Sequence, residues 1–97
     1  MISGCLRAKL ILPLARSLKD KRQVVRSVVE KLKQGFNVAV AEVDDRDAWQ
    51  SVVLGIVTVG ESAEEVRKTL DAVANALRSH PVAQYASGET IVETVPF

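Results

Sequence analysis

Ala15–Phe36, ARSLKDKRQVVRSVVEKLKQGF, is the stretch on which the fold turns. At about 100° per residue, Leu18, Val25, Val28, Val29, Leu32 and Phe36 fall in one sector roughly 100° wide, the pattern of a helix with one buried face. Ser17, with Asp20 three residues on, marks its start, because a short side-chain oxygen can accept from an otherwise unpaired N–H of the first turn and a carboxylate suits the positive end of the helix dipole. The helix therefore begins near Leu18, and Gly35 stands where a C-cap is expected. Its β-branched valines have modest helix propensity, so packing against the rest of the chain has to hold it.

The same stretch carries seven cations and two anions. On the helical wheel Lys19, Arg22, Arg26 and Lys33 lie within about 60° of one another beside the apolar stripe, forming a ridge. Lys21 falls near the apolar sector at the first turn, where its stem can lie along apolar surface while the ammonium reaches outward, and Lys31 points elsewhere.

On the N-terminal side, Ile2–Leu12 alternates strictly, with Ile2, Gly4, Leu6, Ala8, Leu10 and Leu12 on one face and Ser3, Cys5, Arg7 and Lys9 on the other. That is a half-buried strand, ended by Pro13, and it places Arg7 and Lys9 on the face away from the helices or near the rim. On the C-terminal side, 37–43 reads as a second strand and DDRDAWQ (44–50) as a hairpin loop. Ser51–Val59 is apolar with little alternation, which suits a central strand covered on both faces, and Gly55 within it marks a bulge or a close approach. Ser62 and Glu65 form a second capping box before Val66, Leu70, Val73 and Leu77, and that helix runs to about Ser79, where His80 and Pro81 break it. Val82–Val95 is a final strand in two pieces around Ser87 and Gly88.

Strand, helix, strand, strand, helix, strand is the ferredoxin-like βαββαβ order, an α+β fold with a four-stranded antiparallel sheet and two helices on one face. Right-handed crossovers put the first and third strands in the centre. Ninety-seven residues, 47% hydrophobic, suffice for one domain spanning 1–97. The second sheet face is then left with apolar residues of the third strand, and an exposed apolar face implies a partner, a second copy or another protein.

Net charge is +1, yet residues 1–40 hold nine cations and two anions, net +7, and residues 41–97 hold four cations and ten anions, net −6. Such a division favours a polyanion on one side of the molecule. The single Cys5 has no disulfide or zinc partner, which fits a reducing cytoplasm. Arg7 and Lys9 interrupt the N-terminal apolar run, so neither a signal peptide nor a membrane span is expected.

Enzymatic chemistry finds little support. Neither G-x-x-x-x-G-K-[ST] nor G-x-G-x-x-G occurs, and Cys5 with His80 is the sole thiol and imidazole pair. Glu42, Asp44, Asp45 and Asp47 lack the glycine and distant glutamate of a calcium loop, so they read as solvated turn acids. No catalytic residue, metal or cofactor is expected. Base-stacking aromatics are also missing from the first and third strands, since the four aromatics are Phe36, Trp49, Tyr85 and Phe97. RNA binding would rest on phosphate contacts from Lys19, Arg22, Arg26 and Lys33, with Arg16, Arg7 and Lys9 as further contributors. Trp49 anchors either its own hairpin or a protein partner.

PLARSLKDKRQVVRS (13–27), FNVAVAEV (36–43), D-x-W-Q (47–50) and VLGIVTVG (53–60) together resemble the YlxP-like family of small bacterial proteins. The resemblance covers most of the chain and weakens after about residue 80. It implies a ferredoxin-like fold of unassigned function, and the family's genes, often found beside those of translation initiation and ribosome maturation factors, imply a link to the ribosome or RNA by association. The expectation is a non-enzymatic cytoplasmic binding protein that meets RNA or the ribosome through the basic ridge, with a homo-oligomeric or protein-binding role for the open sheet face as the alternative.

Overall fold

Side chains of β1 (Ile2–Ile11) are buried in alternation, as the sequence alternates: Leu6, Ala8 and Leu10 are buried and Cys5 and Arg7 exposed. In the computed structural model, which describes residues 1–97, β1 leads to α1 (Leu18–Gly35), β2 (Ala39–Asp44), β3 (Ser51–Gly60), α2 (Ala63–Arg78) and β4 (Gln84–Thr94). The sheet order is β2-β3-β1-β4 with every pairing antiparallel, which is the ferredoxin-like arrangement with β1 and β3 in the centre. Leu6, Ala8, Leu10, Val52, Leu54 and Ile56 from the sheet meet Val28 and Leu32 of α1 and Val66, Leu70, Val73 and Leu77 of α2. Burial of such side chains contributes on the order of 1.5–3 kcal/mol each before conformational entropy is subtracted.

Both helices start on the capping pairs read from the sequence. Ser17 Oγ accepts from Asp20 N at 3.1 Å while Asp20 Oδ2 accepts from Arg16 N at 3.0 Å. Ser62 Oγ accepts from Glu65 N at 3.1 Å while Glu65 Oε2 accepts from Glu61 N at 3.4 Å. The C-terminus of α1 differs from expectation. Gly35 is the last helical residue and no glycine has positive φ, so the helix ends instead on extended Phe36, whose N–H donates to Leu32 O at 2.9 Å.

Three strand features refine the sequence expectation. First, β3 is covered on both faces only in part: Val53 is buried, whereas Val57 and Val59 on the face away from the helices are exposed. Second, of the bulge or close approach expected at Gly55, the structure has the close approach; Gly55 pairs with Ala41, and the register shift lies beyond it in β2, between Glu42 and Asp44. The intervening Val43 folds over Gly55, and a Cβ there would stand 3.0 Å from Val43 Cγ1. Third, β4 is one continuous strand, not two pieces; its register against β1 shifts between Lys9 and Leu10, so a bulge absorbs the extra residue. Tyr85, beside that bulge, lies across Gly88 with the Arg78 guanidinium 4.6 Å from its ring centre, and any Cβ at 88 would collide with the phenol oxygen.

His80 follows α2 and closes the turn into β4. Its Nδ1 accepts from Val82 N at 3.2 Å and Ala83 N at 3.1 Å. Burial, and then the nearby Lys31 cation, hold the imidazole below its ordinary value of 6.5. Both hydrogen bonds need an unprotonated Nδ1, in agreement with that direction. A folded-state pKa below the unfolded one gives stability that is fully present above about pH 6.5 and is lost as pH falls through the folded value. The urea midpoint should therefore fall between pH 7 and pH 5. His80→Asn, whose amide oxygen can take both N–H groups, should flatten that interval; an unchanged slope in the variant would assign it to another group.

Candidate nucleic-acid interface

The flank of α1 is set by two neighbours in the wheel. Val28 and Leu32 turn inward, and Lys19, Arg22, Arg26 and Lys33 follow on the solvent side, all exposed. None of the four makes an ion pair, and neither does Arg16, which is exposed just ahead of the helix. Arg7 and Lys9 are not part of this group. They stand on the opposite face of the sheet, where Arg7 Nη2 lies 3.3 Å from Asp44 Oδ2 and Lys9 Nζ 3.5 Å from Asp45 Oδ2. The fold thus brings four of the seven sequence-selected cations into one row, keeps Arg16 near it, and leaves two with acidic partners across the sheet.

Lys21 occupies a different environment from its neighbours. It is 2% exposed, and its ammonium reaches the loop between β2 and β3. The carbonyls of Asp45, Arg46 and Ala48 accept from Nζ, the last at 2.7 Å. Three carbonyls take up the three hydrogens of an ammonium, so the contact of Nζ with Glu42 Oε1 at 3.1 Å is Coulombic, and that buried oxygen has no hydrogen-bond donor of its own. The expected outward-reaching ammonium is in fact the structural centre of the loop. Asp45, at φ 58°, takes the left-handed conformation that short polar residues tolerate. The Ser51 hydroxyl donates to its Oδ2 at 3.1 Å and, ahead of the Lys9 cation, lowers its pKa below the ordinary 3.8 against a smaller opposing effect of burial.

Pinning the loop has two consequences for the surface. The turn acids are largely neutralised, Asp44 by Arg7, Asp45 by Lys9 and Glu42 by Lys21, with only Asp47 unpaired. Arg46 is carried to the side of α1. It shares with Arg22, Arg26, Leu18, Val25 and Asp47 the walls of a groove of about 360 Å³, with Lys21 and Glu42 also lining it. Sequence reasoning passed over Arg46 because it sits among four acids; the available signal was that it is the one cation of the hairpin loop.

Trp49 is half covered, at the mouth of its hairpin. It is 53% exposed, beside Ile11 and Gln50, which leaves its indole available as a contact surface. Cys5 lies on the open sheet face and His80 beyond the end of α2, so the structure does not bring thiol and imidazole together. No group of three or more His, Cys, Asp or Glu side chains gathers to hold a metal ion, and no helix is long and apolar enough to cross a membrane.

Comparison with known sequences places the chain among proteins without an assigned function. A family model described as "Protein of unknown function (DUF503)" matches residues 3–90. The uncharacterized protein YlxP of Bacillus subtilis (strain 168) is 34% identical over 67 residues, covering 69% of this chain and 73% of that protein.

Lys21→Met keeps the stem and removes the charge, leaving three carbonyls without a donor and Glu42 without a counterion. Urea unfolding should show a loss of about 2–3 kcal/mol, at or just below the low end of the range for breaking a buried pair because Glu42 retains some exposure. Adding Glu42→Gln should restore part of it. A change within about 0.5 kcal/mol in the single variant would contradict the role assigned to the ammonium.

Proposed function

The chain belongs to the DUF503 family of proteins of unknown function, and from that premise we propose that it is a non-enzymatic cytoplasmic binding protein that holds structured RNA by its phosphates through the basic flank of α1. The observation that carries this reading is the contrast in charge pairing. The cations of β1 and the buried Lys21 all have carboxylate partners, whereas Lys19, Arg22, Arg26 and Lys33 have none. An unpaired cationic row attracts a polyanion over about one Debye length and loses little on binding one. From Lys19 to Lys33 the helix advances about 21 Å, enough to pass several phosphates of one strand.

The same residues argue against sequence-selective readout. β1 and β3 carry no aromatic side chain on which bases could stack, so affinity would come from backbone contacts and the shape of the RNA. Arg46 adds a fifth cation where the loop meets the helix, and two forked guanidinium donors beside it in Arg22 and Arg26 suit bidentate contact with phosphate oxygens.

Binding to a structured ribosomal RNA fragment, measured against salt, tests the proposal. Four phosphate contacts imply a slope of log affinity on log salt near −3.6, or roughly a hundredfold loss between 50 and 200 mM, and a fifth from Arg46 steepens it to about −4.5. Replacing Lys19, Arg22, Arg26 and Lys33 together by Ala should abolish binding at low salt, and Arg46→Ala alone should lower the slope by about 0.9. Equal affinity of wild type and the fourfold variant, or no wild-type binding at low salt, would overturn it.

A further inference from the structure

The sheet face turned away from the helices is an ordered grid defined by the ladder registers. One row crosses all four strands as Ala39, Val57, Cys5 and Ile91. On one side of it lie Val59, Ser3 and Glu93, and on the other Ala41, Gly55, Arg7 and Glu89. Val57, Val59 and Ile91 are 47%, 55% and 61% exposed, and Cys5 is exposed between them. Val43, folded over Gly55, extends the apolar surface at 52% exposure. A contiguous apolar surface crossing a whole sheet is uncommon on a protein that remains alone in water.

From this grid we propose that two copies of the chain stack their open sheet faces to form a homodimer. Area and charge pattern both favour a second copy. Four strands about 4.8 Å apart, three of ten or eleven residues and β2 of six, at about 3.4 Å per residue give roughly 600 Å² per copy, hence about 1,200 Å² in total, at the lower end of the range of specific stable interfaces. On this face Arg7 is paired with Asp44 and Lys9 with Asp45 within the copy, so the charges a stack has to keep apart are the unpaired Glu89 and Glu93 of β4.

Symmetry selects how the faces meet. A two-fold axis in the interface and perpendicular to the strands would lay each strand over its own counterpart and exchange the two flanking rows, setting Glu93 against the partner's Glu89. An axis parallel to the strands, between β1 and β3, keeps the rows and exchanges the strands. Ile91 then meets the partner's Ala39, Cys5 meets the partner's Val57, Glu89 meets the partner's Ala41 and Arg7 meets the partner's Gly55, each pair occurring twice. No like charges are stacked. Val43 fills the space above Gly55 and offers an apolar surface to the stem of the partner's arginine, and the sheets lie at the ordinary face-to-face spacing of about 10 Å. The helices remain on the outside, so the basic flanks of both copies stay free.

Sedimentation equilibrium from micromolar to several hundred micromolar tests the assembly. Wild type should approach twice its 10.5 kDa chain mass as concentration rises, and Cys5 should become slower to label with a water-soluble maleimide in parallel. Val57→Lys and Ile91→Lys, both at exposed positions, should each stay at monomer mass with an unchanged circular dichroism spectrum. Replacing the four α1 cations by Ala should leave dimerisation intact. A wild type that remains monomeric at the highest concentration overturns the proposal, as does an assembly that survives both lysine substitutions or leaves Cys5 labelling unchanged.

Discussion

An ammonium withdrawn from water must find compensation in its surroundings, and for Lys21 that requirement shapes the β2–β3 loop. Its three hydrogens point at the carbonyls of Asp45, Arg46 and Ala48, and Glu42 supplies the countercharge. Because Lys21 belongs to the first turns of α1, the loop is tied to the helix and not only to its own strands. Leaving this charge in the core without those partners would cost several kcal/mol, so the loop conformation and the seating of the helix depend on one another.

That coupling sorts the charges of the whole molecule. The loop acids are held where the β1 cations can reach them across the open sheet face, which neutralises one side. The α1 flank receives no such partners, and Arg46, delivered by the same loop, adds to its charge. The apolar rows of β1, β3 and β4 occupy the remaining part of the open face. Two surfaces of different chemistry thus lie on opposite layers of one small sheet, and a contact made by one does not obstruct the other. This separation permits a face-to-face dimer with two outward-facing cationic helices.

Local features were readable in the sequence because their causes are local. The caps at Ser17 and Ser62 depend on a partner three residues away, and the alternation of β1 follows from the period of an extended chain. The buried stripe of α2 and the order of the sheet followed from the same periodicities and from the handedness of crossovers. What escaped depends on distant geometry. The loop carbonyls that accept from Lys21 lie 24 to 27 residues along the chain, so its wheel position beside the apolar stripe allowed either an outward or an inward ammonium. Arg46 was hidden among acids whose neutralisation only the sheet register reveals. Ser87 and Gly88 resemble a turn in sequence and suggest a broken final strand, whereas in the fold the strand is continuous and Gly88 makes room for the Tyr85 phenol that lies across it. Gly35 looked like a cap by its position alone, and the extended backbone at Phe36 removed the need for a left-handed residue.

Lys21 and its loop leave the α1 flank and Arg46 without carboxylate partners, while the cations of β1 are paired within the fold. Backbone amide shifts recorded by NMR as a short structured RNA is titrated in would locate the contact directly. The largest shifts should fall on residues 16–33 and on Arg46, with Ser3–Lys9 and residues 87–93 unmoved. Shifts centred on Arg7, Lys9 and the open sheet face, with α1 silent, would contradict it.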